Sequence, residues 1–93
     1  MAAKTIYSKA YRQLVQDLRA LREQAGWSQT ALSHELGWPQ QRLSAVEAGA
    51  RRLDVLEFLQ LVRALGLTPE AGIGLVTRAE AKAPASRPTK RAR

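Results

Sequence analysis

The 93 residues include no Cys and a single His, so disulfides and cysteine-ligated zinc are excluded and the length suits one small domain. Hydrophobic residues make up 45 %, yet no apolar run approaches the roughly 18 residues of a membrane span. The net charge of +7 is uneven: residues 77–93 carry six basic groups against one acidic, and residues 1–76 carry nine against seven. A basic tail of that kind favours any polyanion and says little about the folded part.

Aromatics are few and Leu, Ala, Gln, Glu and Arg dominate, which predicts an all-α chain. His34 cannot build a metal site alone, and no nucleophile–base pair or phosphate-binding Gly loop is present, so neither a cofactor nor an enzymatic activity is expected. The segment MAAKTIYSKAYRQ lacks the apolar stretch of a secretory signal, and the absence of Cys suits a reducing compartment. The expectation is a cytoplasmic, nucleoid-associated protein.

Residues 1–7 read as a flexible arm, 8–76 as the folded domain and 77–93 as a disordered tail rich in Ala, Pro, Lys and Arg. Ser8 is positioned to cap a first helix whose apolar face is Tyr11, Leu14, Val15, Leu18, Leu21 and Ala25, with Gly26 as its stop. Arg22 falls on that same face and needs a partner. Ser28 caps a second helix, with Trp27 before it and Leu32 four residues in as a hydrophobic staple. Gly37 ends the second helix. A third, about 40–48, starts beside Pro39, which presets φ but has no side-chain oxygen to cap with. Trp38 and Leu43 supply its staple. Asp54 and Glu57 form a capping box for a fourth helix, about 55–65, whose apolar residues are Leu56, Phe58, Leu59, Leu61, Val62 and Leu65. A short fifth helix begins at Thr68-Pro69, weakened by Gly72 and Gly74.

On a 3.6-residue period, Leu43, Val46 and Glu47 share one side of the third helix. Gln40, Gln41, Ser44, Ala45 and Ala48 spread over the other, with Arg42 on a flank. An outward Gln amide matches adenine N6 and N7 in the major groove, worth about 1–3 kcal/mol of discrimination when bidentate. Ala45 and Ala48 keep that surface low, and an Ala can touch a thymine methyl. Gln40, Gln41, Ser44 and Ala45 are therefore the candidate base-contacting residues. Ser28 and Gln29, at the start of the second helix, are candidates for phosphate because free N–H groups and the dipole gather there. Arg42, Arg51 and Arg52 are the candidate basic phosphate contacts. Glu47 faces inward like Arg22, and the two are expected to form an ion pair, at least partly buried, tying the first helix to the third. Trp27 and Trp38 read as core and staple residues, and His34 as solvated surface.

These residues resemble the phage-repressor helix-turn-helix family, the lambda-repressor-like or Cro type known as XRE. The resemblance spans about residues 14–70: LRALREQAGWSQ, Leu32, Gly37, Leu43-Ser44, Glu47, Gly49 and LDVLEFLQLVRALGL. Gln29, Ser33, Gly37, Leu43 and Val46 fall on helix-turn-helix positions one, five, nine, fifteen and eighteen. The resemblance implies a compact five-helix bundle with its third helix in the major groove, and sequence-specific binding of double-stranded DNA. It also implies a two-fold dimer on an operator with half-sites about 34–36 Å apart. Departures are Ser33 where Ala is commonest, Pro39 where a Ser or Thr cap is usual, and the short Ala45.

The function implied is a transcription regulator, most simply a repressor. Two alternatives stay open. The start IYS, a helix and GWSQ also resemble antitoxins of kinase-type toxin–antitoxin pairs, which bind their operator and the toxin. Residues 28–76 hold four basic and five acidic groups, which also suits a protein-binding adaptor or anti-activator on the same fold.

Overall fold

The computed structural model describes residues 8–83, and these form helices with no strand among them. Five helices follow in order: α1 Lys9–Gln24, α2 Gln29–Leu36, α3 Gln40–Glu47, α4 Val55–Ala64 and α5 Pro69–Lys82. The expected arm and the tail beyond residue 83 lie outside the described residues.

Local chemistry sets nearly every helix start. Ser8 Oγ accepts from Tyr11 N, Ser28 Oγ from Ala31 N and Thr68 Oγ1 from Ala71 N, at 3.0–3.1 Å. At α4 the full capping box is present: Glu57 N donates to Asp54 Oδ1 at 2.7 Å and Asp54 N donates to Glu57 Oε1 at 3.0 Å. Only α3 begins without a side-chain cap, because its N-cap is Pro39. The stops are equally local. Trp27 N reaches back to Arg22 O and Leu67 N to Val62 O, each at 3.0 Å, closing α1 and α4 with the doubled turn in which carbonyls of the last turn find donors.

The core joins all five helices. Leu32, Leu43, Val15, Val46 and Val62 are fully buried, with Leu14, Leu18, Leu36, Trp38, Leu61, Leu75 and Ala79 around them. α5 lies along α1 in the most extensive helix pairing, and α2 packs on α3 and on α4. Leu56, counted among the apolar residues of the fourth helix, is in fact exposed beside Val55. Within that first turn Phe58 packs against the core, while Val55 and Leu56 face solvent.

The fifth helix is longer than the sequence suggests. It does not fade near residue 76, and residues 77–82 are helical rather than part of the tail. Ala79 is buried, and Lys82 Nζ lies 3.4 Å from Asp17 Oδ2 on α1. Burial against α1 supplies what composition did not reveal, since most helical stability in a protein comes from tertiary packing. Gly72 is not a weakness either. A Cβ there would stand 2.8 Å from Val62 Cγ2 and 2.9 Å from Cγ1, so the missing side chain is what lets α5 approach α4.

Candidate nucleic-acid interface

The turn between α2 and α3 is built by a glycine and two backbone bonds. Gly37 has φ 72°, the left-handed region that side chains disfavour. Gly37 N donates to His34 O at 3.1 Å and Trp38 N to Ser33 O at 2.9 Å, so α2 is closed off and α3 begins three residues later. Ser33 lies buried behind this turn, and its Oγ has no hydrogen-bond partner. It fits where a small residue is required, and its hydroxyl is left unsatisfied.

Helix α3 is oriented by a buried polar network. Arg22 Nε donates to Glu47 Oε2 at 2.6 Å and Nη2 to Oε1 at 3.0 Å, a two-pronged pair. The side chains are 8 % and 5 % exposed. Arg22 Nη1 also donates to Trp27 O at 2.7 Å, and Gln29 Nε2 to Glu47 Oε1 at 2.8 Å. One carboxylate therefore gathers α1, the start of α2 and the end of α3. The amide of Gln29, expected at a phosphate, is turned inward into this network.

With Leu43 and Val46 buried, the opposite face of α3 is solvent-facing. Gln40, Gln41 and Ser44 are exposed and line a shallow depression. Ala45 is half-buried. Gln40 Oε1 accepts from Thr30 Oγ1 at 3.1 Å, so its amide is oriented by α2, a partnership the sequence did not suggest. Ser28 remains exposed at the α2 start, its hydroxyl engaged as the cap.

The basic candidates sit on the flank where α3 leads into α4. The Arg42 guanidinium lies 5.3 Å from the centre of the Trp38 ring. Its Nη1 is 3.5 Å from Glu57 Oε2. Arg51 donates to the same carboxylate twice, Nη1 to Oε1 at 3.1 Å and Nη2 to Oε2 at 3.3 Å. Arg52 is exposed in the same loop, and its carbonyl accepts from Arg51 Nη1. The bond to Arg51 and the backbone N–H of Asp54 hold the Glu57 carboxyl below its usual range, and the Glu57 hydrogen bond raises Arg51.

Tyr11 holds this loop from the other side. Its hydroxyl donates to Arg51 O at 2.8 Å and accepts from Leu53 N at 3.0 Å. Sequence periodicity identified Tyr11 as part of an apolar face and Glu57 as a cap. Neither reading reveals the long-range bonds, because those depend on where residue 51 lies relative to residue 11.

Two short helices joined by a glycine turn, the second buried on one side and polar on the other, define a helix-turn-helix protein. Residues 18–71 match the family model described as helix-turn-helix. Among solved structures the chain is similar to an XRE-family like protein from Pseudomonas syringae pv. tomato str. DC3000. That match has 39 % sequence identity and a TM-score of 0.68, and it covers 81 % of this chain and 88 % of that one. It also shares its fold with a hypothetical transcription factor, NHTF, from Neisseria, at 23 % identity and a TM-score of 0.64, with 88 % and 94 % covered. No curated protein matches it significantly. The chain belongs to the XRE-type helix-turn-helix family of DNA-binding transcription regulators. No described helix is long and apolar enough to cross a membrane.

Proposed function

We propose that the protein is a sequence-specific repressor that inserts α3 into the major groove of an operator. The observation that carries this is the exposed face of Gln40, Gln41 and Ser44 on a helix whose opposite side is locked by the Arg22–Glu47 pair. A fixed helix with outward amides suits base-edge recognition, where each two-pronged amide–adenine pair discriminates by about 1–3 kcal/mol. Ala45 lies beside them for apolar contact with a thymine methyl. Ser28, Arg42, Arg51 and Arg52 contact phosphates around the groove. Gln29 joins them through its main-chain N–H at the α2 N-terminus, since its amide is engaged by Glu47.

The protein acts as a homodimer on two half-sites about 34–36 Å apart. The exposed Val55 and Leu56, on the first turn of α4 beyond the phosphate-facing loop, support pairing of two copies. Selection of bound duplexes from a random pool tests the reading. A two-fold symmetric consensus is expected, and Gln40→Ala with Gln41→Ala should abolish the preference while leaving the fold intact. Recovery of no consensus, or a preference unchanged in the double variant, would refute it.

A further inference from the structure

We propose that Glu57 determines how selectively this protein binds DNA, by holding Arg42 and Arg51 as a fixed pair and cancelling one of their two charges. The proposal rests on the DNA-binding reading and adds a residue that contacts neither base nor phosphate. Its basis is the convergence of two arginines from different elements on one carboxylate. Arg42 belongs to α3, the helix with the exposed glutamines, and Arg51 to the loop that follows it. Glu57 belongs to α4 and its side chain is only 12 % exposed, whereas Arg42 and Arg51 remain 34 % and 41 % exposed.

Each partner is restrained from a second direction. Arg42 is stacked on Trp38, Arg51 Nη1 also donates to Arg52 O, and the Arg51 carbonyl is held by Tyr11. Glu57 is itself fixed by the Asp54 backbone N–H. The consequence is a rigid flank with a net charge of +1 across Arg42, Arg51 and Glu57. Long cationic side chains left loose would follow any phosphate, and backbone contacts of that kind carry no sequence information. Arginines held in one geometry meet phosphates favourably only when α3 is seated in register, so the carboxylate converts generic attraction into a positional requirement.

The variant that separates this from a capping role is Glu57→Gln. Gln serves the reciprocal position of a capping box as Glu does, so the α4 start is retained while the charge is removed. Wild type and variant are titrated with selected DNA and with random-sequence duplex over a salt series. The variant is expected to bind random duplex about threefold or more tightly, with a log–log salt slope steeper by about 0.9, as for one further cation at the backbone. Selected DNA should gain less, so the ratio of selected to random affinity falls.

An unchanged ratio and slope in folded Glu57→Gln overturns the proposal. Absence of any preference in the wild type instead overturns the sequence-specific reading on which the proposal rests. Should Glu57→Gln fail to fold, Arg51→Lys decides: it keeps the charge but loses the two-pronged hold on Glu57, so the ratio of selected to random affinity is expected to fall, and an unchanged ratio refutes the idea.

Discussion

At the scale of single residues, a buried polar group beside the α2–α3 junction is unsatisfied, while a buried ion pair between α1 and α3 is fully engaged. The Ser33 hydroxyl is buried with no partner. Replacing it with Ala removes a desolvation cost and improves helix propensity, so Ser33→Ala is expected to stabilise the protein by about 1 kcal/mol in urea denaturation. Arg22 and Glu47 are the opposite case, a buried pair with every prong engaged. Truncating either to Ala leaves an uncompensated buried charge and should cost about 3–5 kcal/mol. The double variant should cost far less than the sum, and simple additivity in that cycle would contradict the network described.

Glu57 adds a pH signature at the same scale. Its carboxyl is held below the ordinary range in the folded state, chiefly by the Arg51 hydrogen bond. The unfolded chain therefore binds the proton more readily, and the stabilisation is complete above the ordinary Glu pKa of about 4.3. It is lost as pH falls through the lower folded value. Thermal melts of wild type and Glu57→Gln should differ at neutral pH and converge in acid. A gap that stays constant through that window would show that the charge contributes nothing to stability.

At the scale of elements, the helix boundaries rest on short-range chemistry and the helix contacts do not. Caps at Ser8, Ser28, Asp54 and Thr68 are visible in the sequence because each acts on residues three positions away. Gly72 reads in isolation as a helix breaker. In the folded protein it is the point where α5 meets Val62. Gly72→Ala raises helix propensity by up to about 1 kcal/mol. It also forces a methyl against a stiff β-branched side chain, and overpacking of that kind typically costs about 1–3 kcal/mol. Net destabilisation in chemical denaturation is expected, and combination with Val62→Ala should recover part of it. A Gly72→Ala protein more stable than wild type would show that α4 and α5 separate easily.

At the scale of the whole molecule, α5 closes the bundle along α1, and its last turns contribute to the core. A chain ended after Val76 loses buried Ala79 and the Lys82–Asp17 pair. A chain ended after Ala83 keeps both. The first is expected to melt at clearly lower temperature than the second, and equal melting would show that residues 77–83 only decorate the surface. α5 pairs mainly with α1 and α4, while α2 and α3 are anchored to α1 by the Arg22–Glu47 network and open to solvent at Gln40, Gln41 and Ser44.

The amino-acid sequence by itself determined the helical class, the number and order of the helices, the glycine turn and the outward face of α3. All of these follow from side-chain period and from bonds spanning three to five residues. It also carried the Arg22–Glu47 pairing, because a charge on an apolar stripe demands a partner. Tertiary structure alone decided the length of α5, the exposure of Leu56, the inward turn of Gln29 and the gathering of Arg42 and Arg51 on Glu57. The physical reason is distance along the chain. Burial against α1, the reach of Tyr11 to residues 51 and 53, and the ion pair between Arg42 on α3 and Glu57 on α4 exist only once the helices have packed.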